Sequence, residues 1–201
     1  DGSFTIGGWF KHDTIATNPD YFATKYSSTA SADTGTGADG AINLTTAAVT
    51  NFNINTATHA SGRTCADAIT YNVSSMTANT AITTSAPPSN CLTTGDEIML
   101  INLQGTASYT QNLGNYEFLR VQGISGTTVT FTTNKTKYYG STAGSDAGLG
   151  TTDGTQCVML MRVPQYTNVT IGSGTRFIPA NYNGAKYGVI AFRDTGTVAV
   201  N

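Results

Sequence analysis

The stretch from Cys91 to Thr133, CLTTGDEIMLINLQGTASYTQNLGNYEFLRVQGISGTTVTFTT, constrains the fold more than any other part of the chain. Its apolar run, Ile98-Met99-Leu100-Ile101-Asn102-Leu103, does not alternate, and a short continuous run bounded by turn residues suits a strand buried on both faces. Two alternating runs follow, Tyr116 to Gln122 and Thr127 to Thr132. Joined across Ser125-Gly126, they predict half-buried strands paired through a tight turn. Three strands from one neighbourhood make a sheet core. Asp96-Glu97 reads as the turn entering the first of them, and Glu117 as an outward position on the second.

Composition extends this to the whole chain. The 37 Thr and 22 Gly among 201 residues favour strands and turns over long helices. The expectation is an all-β fold with almost no helix: a β-sandwich or jelly roll, or barrel-like strands leading into parallel β-helix rungs. Only 11% of residues are charged and the net charge is -2, which argues against nucleic acid and anionic lipid as partners. No apolar stretch approaches the ~20 residues of a membrane-spanning helix, so membrane insertion is not expected. Asp1 follows no charged-then-apolar leader, as in a chain whose signal peptide has been removed or one excised from a longer protein.

Cys65, Cys91 and Cys157 are the cysteines, and sequons start at Asn43, Asn72, Asn134 and Asn168. In a weakly charged, Thr-rich chain these suggest an oxidising, extracellular or cell-surface setting with possible glycosylation at the four asparagines. Cys65 and Cys91 both lie at strand edges beside turn residues and are the expected bridge, contributing roughly 3 to 4 kcal/mol by loop closure. Cys157, inside the alternating run CVMLMRV, is expected to stay free and buried.

Three segments are expected. Residues 1–30 form an N-terminal strand or arm, 31–40 a linker of small and turn-forming residues, and 41–201 the main all-β domain. Within this segment Phe4, Ile6, Trp9 and Phe10 form a candidate subunit-contact strand, with Phe4, Ile6 and Phe10 able to fill alternate pockets of a neighbouring sheet, unless the segment packs on the main domain of its own chain as an extra hairpin. Asp33 and Asp39 in DTGTGADG, with Asp146 and Asp153 in the loop from Gly140 to Gly154, could supply oxygen ligands to calcium, but no dedicated loop spacing is present and solvated turns are expected. Short alternating runs place strands at Ile42–Leu44, Phe52–Ile54, Ala68–Val73 and Ala81–Thr84. Beyond Met161, apolar pairs at Val169/Ile171, Val189–Ala191 and Val198/Val200, punctuated by Gly-Ser-Gly, Asn-Gly and Asp-Thr-Gly, have the texture of β-helix rungs.

FTIGGWFKHD followed by YFATKY resembles the opening of laminin-G or concanavalin-A-like jelly-roll domains. LTTGDEIMLINLQG, NYEFLRVQGISGTTVTFTT, KTKYYG, VPQYTNVTIGSGT and GVIAFRDTGTVAV resemble a segment of large bacterial secreted or cell-surface proteins associated with β-helices. The Gly-Asp-Glu strand and the Gly turn that follows it also look like the barrel-like excursion leading into pectate-lyase-like β-helices. That resemblance implies a fold shared by polysaccharide lyases, phage tailspikes and inert surface proteins alike, so it does not choose an activity.

Catalytic constellations are scarce. His12 and His59 are the only histidines, and neither stands in a nucleophile-elbow context. Zinc ligation needs clustered Cys and His, which are scattered here. Asp96, Glu97, Glu117, Asp146, Asp153 and Asp194 offer carboxylates for glycoside chemistry, but no pair stands out. Tyr109, Tyr138, Tyr139, Tyr182 and Tyr187 lie near loops, where they either pack or present a sugar-stacking surface. The leading expectation is a non-enzymatic structural or surface protein, self-associating or binding other surface proteins through its N-terminal strand, without a cofactor. A glycan-binding adhesin module and a fragment of a polysaccharide-active β-helix are the alternatives.

Overall fold

A computed structural model describes residues 34–45, 51–60, 62–150 and 155–201, and among these the chain is all β with no helix. Twelve strands form two structures that share a wall. The first is a closed antiparallel barrel of β3 (Thr70–Met76), β4 (Thr80–Thr83), β7 (Thr128–Phe131), β6 (Tyr116–Ser125), β5 (Glu97–Gln104) and β8 (Cys157–Arg162), in that order around the wall. The second is a stack of parallel strands. β1 (Gly40–Leu44) pairs with β9 (Gln165–Ile171), which pairs in turn with β11 (Arg193–Asp194) and β12 (Val198–Val200), while β2 (Asn51–Asn53) pairs with β10 (Arg176–Ile178). This is the rung pattern of a β-helix. The whole barrel is inserted between the first rung, β1 and β2, and the second, β9 and β10.

The rungs stack like on like. Ile42, Val169 and Val198 are in register across β1, β9 and β12, and Leu44, Ile171 and Val200 form the next row. Phe52 and Phe177 pair across β2 and β10 with rings 5.6 Å apart and 3° from parallel, and Phe192 meets Phe177 edge-on at 5.5 Å. Aromatic stacking of this kind adds to area burial and fixes the rung register.

β5 and β8 are the shared wall. Ile98, Leu100, Val158 and Leu160 fill the barrel with Val73, Val121, Val129 and Phe131, whereas Met99, Ile101, Met159 and Met161 join Ile42, Phe52, Val169 and Phe177 in the solenoid core. The apolar run at Ile98 is therefore buried on both faces, as its lack of alternation predicts. CVMLMRV behaves the same way although it reads as alternating, because all six residues of β8 are buried. The β6–β7 hairpin turns at Gly126, whose φ of 57° falls in the left-handed region that glycine tolerates.

One expectation about the rungs needs correction. Val189–Ala191 is not a strand: Tyr187 and Gly188 adopt φ values of 79° and 81°, the Tyr187 amide is spent on Met159 Sδ, and Val189 and Ala191 reach the core without ladder bonds. The strand of that rung is β11, and β10 at Arg176–Ile178 carries no alternating run long enough to be read.

The Cys65–Cys91 bridge forms as expected, with Cα atoms 5.1 Å apart, and Cys157 is buried and unbridged. Leu160→Ala is expected to cost about 2–5 kcal/mol in urea unfolding, whereas Ile82→Ala, on the open face of β4, should cost under about 1 kcal/mol. Equal losses would contradict the assignment of faces.

Candidate functional site

The densest set of charges lies where the barrel meets the rungs. Arg162 closes β8 and is 2% exposed. Its Nη2 donates to both oxygens of Asp39 at 2.7 Å, Nε to Asp96 Oδ1 at 3.1 Å and Nη1 to the Asp67 carbonyl at 2.9 Å. One cation thus ties the turn before β1, the segment before β3 and the turn before β5. Asp39 Oδ2 also accepts the Gln165 amide at 2.7 Å, which brings in the start of β9.

The Thr-Thr-Gly-Asp-Glu sequence makes this geometry locally. Gly95 takes φ 90°, and Asp96 Oδ2 folds back to accept the Thr93 amide and hydroxyl at 2.7 and 3.1 Å. Arg63 then reaches both Asp96 oxygens, through Nη1 at 3.0 Å and Nη2 at 2.5 Å. Burial alone would raise the Asp96 carboxyl, but the Arg63 hydrogen bond, the Arg162 charge and the Thr93 amide outweigh it and hold it below the usual carboxylate range. For Arg162, burial favours the neutral form, yet the bonds to Asp39 and the Asp96 charge prevail and raise its pKa further.

Glu97 and Asp67 complete the cluster. Glu97 accepts two bonds from Arg193 of β11, at 3.0 and 2.7 Å, and one from Gln165 Nε2 at 2.9 Å. Arg193 also lies 4.7 Å from the centre of the Phe118 ring. Asp67 accepts the Tyr166 hydroxyl at 2.6 Å and the amides of His59 and Ala60. Burial, then the Asp67 charge, pushes the Tyr166 hydroxyl well up, so it stays a donor. An open cleft of about 260 Å³ lies over this cluster, lined by Thr36, Arg63, Thr94, Asp96, Arg120 and Gln165 among others.

Chemically, these carboxylates are acceptors for fixed cations and amides. A general acid at neutral pH needs a carboxyl whose pKa is raised, and Asp96 is moved the other way. Asp194 is raised by burial, against the lowering bond from the Gly196 amide, and its Oδ2 is buried without a hydrogen-bond partner. Asp39, expected in a solvated linker, is 3% exposed because its charge answers Arg162 from a distant strand. The turn expected at the strand entry spans Thr93–Asp96, Glu97 is already the first residue of β5, and both carboxylates are buried.

A second polar knot closes the far end of the barrel. Glu117, expected to point outward, accepts the Tyr139 hydroxyl at 2.9 Å, the Thr136 amide at 2.8 Å and the Thr136 hydroxyl at 3.1 Å, clamping the loop after β7. Lys135 pairs with Asp146 at 2.5 Å. Tyr139 is wholly buried, whereas Tyr109, Tyr138 and Tyr182 are exposed and Tyr187 is half-buried. Of the sequon asparagines, Asn43, Asn134 and Asn168 are exposed, and Asn72 is half-buried in β3 with its Oδ1 unpartnered. Phe4, Ile6, Trp9, Phe10, Asp33 and Asp153, together with the stretch resembling laminin-G domains, lie outside the described residues. Among the described residues no three His, Cys, Asp or Glu are grouped to hold a metal, and Asp39 and Asp146 face cations instead. Arg162 and Arg193 were not legible as site residues: each partner is far along the chain, and no spacing rule links them.

No protein-family model matches the chain, and no curated protein does. Two solved structures show some likeness. One is the tailspike protein gp49 from Pseudomonas phage LKA1, with a TM-score of 0.32 and 20% identity over 54% of this chain and 18% of that one. The other is the Pseudomonas phage phi297 tailspike gp61, with a TM-score of 0.29 and 19% identity over 66% and 19%. The chain spans less than a fifth of either.

Arg162→Met takes the close cation from the buried Asp39 carboxylate while Asp96 keeps Arg63, and should cost about 3–5 kcal/mol in urea unfolding. The Asp96 pKa is lowered by folding, so its contribution is present above the ordinary carboxylate value and is lost as pH falls through the lower folded value. Thermal midpoints should therefore drop between about pH 5 and pH 2, and Asp96→Asn should make that limb shallower. An unchanged limb in the variant would remove Asp96 from the account.

Proposed function

We propose that this chain is a non-enzymatic structural module of an extracellular or cell-surface protein, which associates with other copies or with surface proteins through its N-terminal strand. The observation that carries this reading is the use of its carboxylates. Among the described residues, Asp39, Asp96 and Glu97 bind arginines, Asp146 binds a lysine, Asp67 and Glu117 bind tyrosine hydroxyls and amides, and Asp194 is buried. Apart from Asp194, which is shut away from the surface, the groups that hydrolysis or elimination on a sugar chain would require are engaged in joining barrel to rungs and loops to barrel.

The disulfide and the exposed sequon asparagines Asn43, Asn134 and Asn168 support an oxidising compartment. No helix among the described residues is long and apolar enough to cross a membrane. Phe4, Ile6, Trp9 and Phe10 give the arm the apolar content that strand addition to a second sheet would use.

Light scattering and electron microscopy of the purified chain, with and without residues 1–30, test the association. Assemblies that dissolve on deletion are expected; a monomer with the arm present, or assemblies unaffected by its loss, would overturn it. Release of new chain ends from any polysaccharide incubated with the protein would overturn the non-enzymatic assignment.

A further inference from the structure

We infer that Asn183–Gly184, in the turn before β11, is a site of spontaneous deamidation, at which ageing of the folded protein adds a negative charge to a loop tied to β8. Asn183 is the only asparagine in the chain that glycine follows. Both residues are exposed, and Gly184 takes φ 90° with nothing within 4 Å of where a Cβ would stand. A side chain on the following residue shields its amide from the asparagine carbonyl and restricts φ; glycine does neither.

The turn presents the reacting groups. Asn183 Oδ1 accepts the amides of Ala185 at 3.1 Å and Lys186 at 3.0 Å, so the carboxamide is folded back over the Gly184 peptide. The Asn183 amide donates to the Lys186 carbonyl at 3.2 Å and closes the turn. Among the described residues neither the Gly184 amide nor Asn183 Nδ2 donates a hydrogen bond. Nucleophile and leaving group are therefore open to water, while the carbonyl oxygen between them is held.

Two N–H donors on Oδ1 polarise the Cγ carbonyl and stand where negative charge gathers when a nucleophile adds to it. Hydroxide removes the Gly184 amide proton, the nitrogen bonds to Asn183 Cγ, and the Cγ–Nδ2 bond breaks, Nδ2 leaving as ammonia with a proton from water. Water then opens the five-membered imide at either carbonyl and leaves aspartate or isoaspartate. The amide has been exchanged for a carboxylate at the expense of one water, and no oxidant or reductant takes part.

Asn53 has a similar bend without the other features. Its Oδ1 accepts the Asn55 amide at 3.0 Å, but the residue that follows is Ile54, which is fully buried and whose amide is spent on the Ile178 carbonyl at 3.0 Å. The Asn183 turn is also joined to the barrel. The Gly184 carbonyl accepts Cys157 Sγ at 3.5 Å, Lys186 Nζ donates to the Thr70 carbonyl at 3.3 Å, and the Tyr187 amide meets Met159 Sδ at 3.2 Å. Isoaspartate lengthens the main chain by one methylene inside this brace.

The test incubates the full chain in heavy-oxygen water and maps its peptides by mass spectrometry, with enzymatic methylation to report isoaspartate. Uptake of heavy oxygen at Asn183 is expected, roughly tenfold faster than at Asn53 and faster in mildly alkaline than in neutral buffer. The native chain should react at least as fast as chain unfolded in guanidinium, because unfolding takes both amides from Oδ1. Gly184→Ala should slow the labelling roughly tenfold, and Asn183→Gln, whose ring would need six members, should abolish it in this peptide over the same time. Thermal midpoints report whether each variant is folded; should Gly184→Ala fail to fold, Asn183→Gln and the comparison of native with unfolded chain carry the test. No labelling of Asn183, or labelling slower in the native chain than in the unfolded one, would overturn the site, and neither result depends on whether the chain self-associates.

Discussion

A guanidinium out of reach of water is costly unless its hydrogen-bonding capacity and charge are both answered, and Arg162 is such a group. The answers come from Asp39, Asp67 and Asp96, which belong to parts of the chain that meet only when the barrel has closed and the first two rungs have stacked. Replacing such a cluster by apolar residues is often neutral in stability, so its consequence here is geometric. A slipped rung or an open barrel leaves a charge buried and unpaired, and the native arrangement satisfies all of them. Arg63 and Arg193 extend the same logic outward, each neutralising a carboxylate that would otherwise repel its neighbour.

The apolar architecture makes that junction possible. A barrel and a solenoid placed side by side would each need a polar outer wall, but β5 and β8 serve both cores at once. Each strand sends alternate side chains in opposite directions, and both directions are dry. An insertion as large as the barrel is accommodated because it leaves after β2 and re-enters at β9, where the next rung begins in register.

Much of this was legible in the sequence, for a physical reason. The Ile98 run announced two-sided burial, the Ser125-Gly126 turn announced a hairpin, and apolar pairs spaced by Gly turns announced rungs, because each signal is local to a few residues. Burial of Asp39, Asp96 and Glu97 was not legible. Short polar residues beside glycine read as turns, and the turns are indeed there; what hides the site is that the compensating arginines are contributed from elsewhere in the chain. Val189–Ala191 misled for a related reason, since apolar content reports burial and not the ladder bonds that define a strand. The tyrosines near loops divided, Tyr139 inward and Tyr138 outward, according to which one met Glu117.

The central claim is that barrel and rungs are one cooperative body locked through Arg162. Native-state hydrogen exchange tests it most directly, by comparing the opening free energies of amides in β5 and β8 with those in β9 as denaturant is raised. Convergence of all three strands on a single global value, with β9 separating from the barrel strands in Arg162→Met, is the predicted result. Rungs that open independently of the barrel in the unaltered protein would contradict it.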